Sequence, residues 1–424
     1  MSRKRAIAGC YILALFFIIP VYNKGTFDNI SQNKVEVFYG IAALALLCYA
    51  GVSVYGDVFH KGKESGKRQF HPHAREIAMG AFLAVCLLSA LTTQYRQYVF
   101  YGVPGFGMGL LSLFIMVVSC GYIARYPVDS MRLFHLLTLS SVFPLLLAIA
   151  NCLGYDPLHM YPEGMPAGGR PYYISTFGNY GWLSAYMSLI IPIVIYMVLL
   201  SERIAVRLLY AAWLVPVAWV VFNIGTQALL LSLAVATLAI VLLKWAPGIL
   251  RAGQRLSGVP ILAAGVVLYA AMLLVVSRYE DVGNGRGYIW QLSLSLFRSL
   301  PLKEQLIGVG PNCYMDALEA FLAKRPELTE TFTEQFHTLA LTSAHSEYLD
   351  YLINTGIAGV AAYLGMLFVF FRTFLKQEKT APRILAAVCA LSYLIYAGFN
   401  FSMVCSTPLF FALAGIAIAD GPSL

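Results

Sequence analysis

Charge is what this sequence has least of. Only 12% of its 424 residues are charged and 59% are hydrophobic, against about 25% charged in an ordinary soluble chain. That shortage excludes a soluble globular domain, and the chain reads as an integral membrane protein. Metal motifs are missing as well. The eight cysteines are spread singly, and no CxxC or HExxH occurs, so no metal site is indicated. Cys10, Cys48, Cys86, Cys120 and Cys389 lie inside apolar segments, where a small buried thiol is the default. Cys152, Cys313 and Cys405 fall on or near the side opposite the basic loops, where a disulfide is open but has no support from spacing. No small-residue cleavage pattern follows Pro20-Val21-Tyr22, so the apolar segment after Arg3-Lys4-Arg5 is expected to stay as a helix. The middles of the apolar segments carry essentially no ionisable residues, and no half-to-half repeat is evident. Ion-coupled transporters spend charges at membrane depth and many carry internal repeats. Their absence favours chemistry or binding at a membrane face over passage through it.

What is present is a series of apolar runs long enough to cross a bilayer. They lie near 6–22, 35–56, 76–93, 102–124, 133–151, 180–200, 208–222, 226–244, 259–277, 347–370, 384–400 and 408–420. The expected fold is all-α and polytopic, with about twelve transmembrane helices and a large, partly helical outer loop between the ninth and tenth. The pair 208–222 and 226–244 is separated only by Asn223-Ile224-Gly225-Thr226. Alternate loops hold 19 of the 29 Lys and Arg: Arg3 to Arg5, Lys61 to Arg75, Arg125 and Arg132, Arg203 and Arg207, Lys244 to Arg255, and Arg372 to Arg383. The positive-inside tendency then places both termini in the cytoplasm and the long loop 278–344 outside. The net charge of +8 is thus mostly a topology signal, and nothing in it calls for nucleic acid. His71 and His73, between Arg68 and Arg75, read as part of a solvated basic loop.

Outward polar residues concentrate in two loops, 152–179 and 278–344. The first is rich in Gly and Pro, which excludes a long helix, and Arg170 is its one fixed cation. A loop arginine of this kind either meets lipid phosphates or binds a ligand. Ser175, Thr176 and Asn179 are the candidate caps for a helix starting near Tyr180. In the second loop a turn-prone Gly-Asn-Gly surrounds Arg286. Ile289, Leu292, Leu296 and Leu300 fit an interfacial helix, with the aromatics Tyr288 and Trp290 at headgroup depth. A tight Leu306–Asn312 turn then opens onto a helix near 313–323.

The stretch LTSAHSEYLDYLINTG, 341–356, enters the tenth apolar run. Ser343 or Thr342 is the expected N-cap, which puts His345 in the first turn, where the helix dipole disfavours imidazolium. Helical spacing puts His345, Tyr348, Leu349 and Leu352 on one face and Glu347, Asp350 and Asn354 on another. Glu347 then reads as a charge that offsets the dipole. His345 is either a base or an interfacial histidine with one hydrogen bond.

Four ordered pieces together resemble the O-antigen ligase and O-antigen polymerase superfamily of membrane glycosyltransferases. They are Arg170 to Gly178-Asn179, Gly285-Arg286-Gly287-Tyr288-Ile289-Trp290, Gly308-Val309-Gly310-Pro311, and His345-Ser346-Glu347-Tyr348-Leu349 through Gly356 and Gly359. The chain has Gly178-Asn179-Tyr180-Gly181 where many members have Gly-His-Pro-Asn, and His345-Ser346 where His-Asn is commoner. The resemblance implies transfer of a glycan from an undecaprenyl-diphosphate carrier to a glycan, glycolipid or protein acceptor, at the extracytoplasmic face of a bacterial inner membrane and with no cofactor. It further implies His345 as base, Arg286 and Arg170 stabilising the diphosphate through bidentate contacts, and Tyr348, Tyr288, Trp290 and Asn179 at the substrate. A bidentate Arg170 predicts severe loss on substitution by lysine. From another class, a flippase for lipid-linked saccharide is the competing expectation.

Overall fold

Inside a bilayer no water is available to backbone N–H and C=O groups, so apolar segments close their hydrogen bonds internally as helices. The computed structural model describes residues 3–59, 73–128, 130–245, 248, 259–279, 282–336 and 341–420. Among these residues the fold is all-helical, with no strand. Lys61, Lys63, Lys67, Arg68, His71, Arg251 and Arg255 of the basic loops lie outside the described residues.

The chain begins with α1 (Arg3–Val21), α2 (Ile30–Phe59) and α3 (Ala74–Thr92). α4 (Leu110–Arg125) starts later than the apolar run at 102 suggests, because Gly102, Gly105 and Gly107 all take positive φ and hold the chain in turns. α5 (Met131–Ser140) and α6 (Val142–Cys152) form one apolar stretch broken at Ser141. α7 (Tyr180–Leu200), α8 (Ile204–Ile224) and α9 (Gln227–Trp245) follow. Gly225, with φ 67°, ends α8 in the left-handed conformation that glycine adopts without steric cost, so the closely spaced pair is two helices. After α10 (Val259–Val276), the segment 278–344 contributes α11 (Val282–Ser299), α12 (Leu302–Ile307), α13 (Tyr314–Leu322) and α14 (Pro326–Phe336). α15 (Glu347–Lys376), α16 (Ala381–Ala397) and α17 (Thr407–Ala417) complete the chain.

Eight of these stretches are long and apolar enough to span a membrane, and four further apolar helices are shorter, at 10–17 described residues. The largest apolar cluster runs through α1 to α8 and α15 to α17, and a second joins α10, α11, α13 and the start of α15. Trp290 and Tyr288 belong to that second core, at 0% and 6% exposure. That corrects their reading as anchors at headgroup depth: α11 buries both rings against protein.

Three cations expected in loops or at segment ends are buried instead. Lys34, inside α2, donates from Nζ to the carbonyls of Ile19 (2.5 Å) and Tyr22 (3.1 Å), satisfying the open end of α1. Arg75 donates from Nη1 to Ile418 O (2.9 Å) and from Nη2 to Asp420 (2.7 Å). Arg383 donates to Asp420 O at 2.7 Å, so the two arginines hold the end of the described chain against α3 and α16. His73 is the N-cap of α3, its backbone N–H bonded to the Glu76 carboxylate.

α15 is broken at Gly356 (φ 71°, ψ −174°). A break at this depth frees carbonyls that water does not reach, so other groups must cover them. Val309 N–H donates to Ile353 O (3.0 Å), Gly310 N–H to Asn354 O (2.9 Å) and Ser89 Oγ to Asn354 O (2.8 Å). The Gly308-Val309-Gly310-Pro311 turn is therefore the patch for the broken helix. A Cβ at position 356 would overlap the backbone of Leu306. Gly356→Ala combines that clash with a disfavoured φ and is expected to cost about 1–3 kcal/mol, read as a lowered Tm in detergent.

Candidate functional site

The last loop organises the site. The apolar run expected to stay helical to 400 ends at Ala397, and residues 398–406 form turns before α17. Their carbonyls face inward and gather three other elements. Gly398 O accepts from the Tyr269 hydroxyl of α10 (3.1 Å), Phe399 O from Arg286 Nε of α11 (2.7 Å), and Asn400 O from Glu347 N at the start of α15 (2.8 Å). Asn400 Nδ2 donates to Gly181 O of α7 (3.3 Å) and to the Tyr396 hydroxyl (3.0 Å). Around this hub lies a cavity of about 600 Å³ whose walls include Asn179, Tyr180, Arg286, His345, Asn400 and Phe401.

Arg286 sits in the first turns of α11 rather than in a free turn, and Gly283 and Gly285, with φ of 69° and 79°, make that helix start irregular. Its Nε and Nη1 donate to Phe399 O and Gly283 O, the latter at 2.6 Å. Two carbonyls thus fix the plane of the guanidinium, and among the described residues nothing accepts from Nη2. Arg286 also lines a second cavity of about 440 Å³, shared with Tyr180 and Gly181 and otherwise walled by the α8–α9 link, Trp290 and Phe399. The arginine stands in the partition between the two spaces.

His345 is not in a helical turn. The N-cap of α15 is Ser346, whose hydroxyl accepts from Leu349 N, and His345 precedes it with a left-handed φ of 50°. Ser343 cannot cap from its position; its hydroxyl accepts from His345 N instead (3.2 Å). His345 Nδ1 lies 3.3 Å from Ser343 O. A carbonyl only accepts, so Nδ1 carries the proton and Nε2 carries the lone pair. The ring meets Phe401 edge-on at 5.1 Å. Burial, and then the Arg286 charge, lower the imidazolium pKa to about 4, against a weaker upward pull from the Ser343 carbonyl. The histidine is neutral as expected, but for reasons other than the helix dipole.

Asn179 is the N-cap of α7, its Oδ1 accepting from Gly181 N at 2.7 Å. Ser175 and Thr176 do not cap; they tie the loop to Pro144 O and Pro20 O. The other candidates lie apart from the large cavity. Arg170 is exposed, with its guanidinium 5.2 Å from the Tyr161 ring, and is not on the cavity wall. Tyr348 is packed edge-on against Tyr269 and bonded to Leu394 O at 2.9 Å. Trp290 reaches only the second cavity, and Tyr288 lines neither.

Glu347 is more than a charge near a helix start. It is 1% exposed, with Oε1 accepting from Tyr363 (2.5 Å) and Oε2 from Tyr393 (3.2 Å). The large cavity also uses Asn400, and the carbonyl of Phe399 holds its Arg286; reading by apolar runs missed both. Their available signal was an amide and a hydroxyl, Asn400 and Ser402, interrupting an otherwise apolar run. All eight cysteines are unpaired, Cys313 and Cys405 among them buried. No protein-family model matches the chain, and no curated protein matches it either.

Proposed function

We propose that the chain is a multi-pass glycosyltransferase of the kind its motifs resemble. It would move a glycan from an undecaprenyl-diphosphate carrier to an acceptor hydroxyl, with inversion and without metal. One observation carries this reading: Arg286, its guanidinium oriented by two carbonyls with no described acceptor on Nη2, and His345, neutral with its lone pair on Nε2, line the same cavity. The second cavity adds support. A lipid diphosphate needs a cation where its headgroup lies and space beside it, and Arg286 stands between two such spaces.

In this reading His345 Nε2 takes the proton of the acceptor hydroxyl as its oxygen attacks the anomeric carbon. The bond from that carbon to the diphosphate breaks, and Arg286 absorbs the charge of the leaving diphosphate. Bound diphosphate also offsets the Arg286 charge, one of the two causes that depress His345, so the base strengthens when donor is present. The proton then passes from imidazolium to solvent. The topology that belongs with this reading has twelve spans, both termini cytoplasmic, and segment 278–344 on the outer face of a bacterial inner membrane.

The deciding experiment is transfer in proteoliposomes, with an undecaprenyl-diphosphate glycan, candidate acceptors and EDTA. Carrier crossing the bilayer with no glycosidic bond formed would replace this reading with the flippase. A pH profile gives a finer check. Neutral His345 is the active form and its pKa is lowered to about 4. Hence kcat/KM is expected to stay level through the ordinary histidine range near 6.5 and to fall only as pH drops through about 4. A limb near 6.5 would assign the base to another group.

A further inference from the structure

The first turns of α15 also line a small polar cavity of about 40 Å³, next to the large one; Phe106, Thr342 and Phe401 line both. Its wall carries Glu347, Asp350 and Asn354, the three residues that helical spacing put on one face, together with hydroxyls of Ser343, Thr355 and Ser402. Among the described residues no Lys, Arg or His lines it. Both oxygens of Glu347 are taken by tyrosine hydroxyls. Asp350 Oδ1 accepts from Ala344 N at 2.7 Å, and no described residue donates to Oδ2. Asn354 is 8% exposed, and among the described residues its buried Oδ1 has no hydrogen-bond partner. The cavity wall therefore holds a carboxyl group with one oxygen that no described residue donates to, an orphan amide carbonyl and hydroxyl-bearing residues, with no described protein cation among them.

We propose that this cavity binds a small monovalent cation, sodium by size, held by Asp350 and Asn354 with the surrounding hydroxyls. An orphan buried carbonyl and a buried carboxyl oxygen with no described donor each cost free energy, and one cation relieves both. Calcium takes six to eight oxygens, usually from several carboxylates, whereas here one carboxylate has an uncommitted oxygen. About 10–15 Å³ admits one water-sized sphere, so the space takes one ion with a water or two. The site also reaches the histidine. Asp350 holds Ala344 N, and Ser343, on the cavity wall, holds His345 Nδ1. The bound ion would brace the turn that aims His345, making Asp350 and Asn354 positioning residues.

The test does not depend on glycosyl transfer. Thermal unfolding of the full chain in detergent is compared in NaCl and in choline chloride at equal ionic strength. A Tm higher in sodium by about 1–2 °C is expected at a tenfold excess over Kd, with a smaller shift in KCl. Asp350→Asn, which keeps the acceptor for Ala344 N, and Asn354→Leu should each abolish the sodium-dependent difference, whatever they do to the absolute Tm. Equal Tm in sodium and choline overturns the proposal, and so does a sodium shift that survives both substitutions. If neither variant folds, the wild-type comparison alone decides.

Discussion

His345→Ala is expected to lower single-turnover glycan transfer by about 10²–10⁴-fold, the usual range for a lost general base. The position needs a control. His345 holds φ 50°, a conformation alanine resists but asparagine accepts. His345→Asn therefore keeps the backbone while removing the base, and it should be as inactive as the alanine variant. Donor binding should change little in either, because in the proposed reaction the cation that meets the diphosphate is Arg286. Wild-type rates in His345→Asn would remove His345 from the chemistry.

Arg286→Lys should cost about 10²–10³-fold in the same assay, the range seen on removing one stabilising donor from a transition state. Lysine keeps the charge, yet it has no planar fork. It cannot hold the carbonyls of Phe399 and Gly283 and also present an N–H in a third direction, as Arg286 does. Arg170→Lys is the contrast. Since Arg170 is exposed over Tyr161 and off the cavity wall, its substitution is expected to cost far less. Equal losses at the two positions would mean that the loop 152–179 carries Arg170 to the donor. Arg286→Ala provides a coupled readout: with one depressing charge gone, the acid limb of residual activity should move above 4.

Much of this arrangement was legible in the chain. Every apolar run holds a helix, since hydrophobic length is a local property, and Gly225 marks the one close boundary. Helix 313–323 and the cap at Asn179 followed from turn and cap residues. The shared face of Glu347, Asp350 and Asn354 followed from a 100° step, and all three line one small cavity. The same step failed for His345, because it assumed a helix one turn too long, and Ser346 begins it instead.

What the sequence by itself determined is the all-helical membrane class, the placing of the segments and the residue types available for chemistry. These depend on neighbours a few residues apart along the chain. Tertiary structure decided which candidates meet. Arg286 joins His345 because the turn at 398–406, more than fifty residues from His345 and more than a hundred from Arg286, offers its backbone carbonyls to both α11 and α15. Backbone carbonyls are the same at every residue, so no side-chain pattern announces which ones turn inward. For the same reason Trp290 went into a core and Arg170 stayed outside the cavity. Burial and long-range hydrogen bonds belong to the packed molecule, and only its packing assigns them.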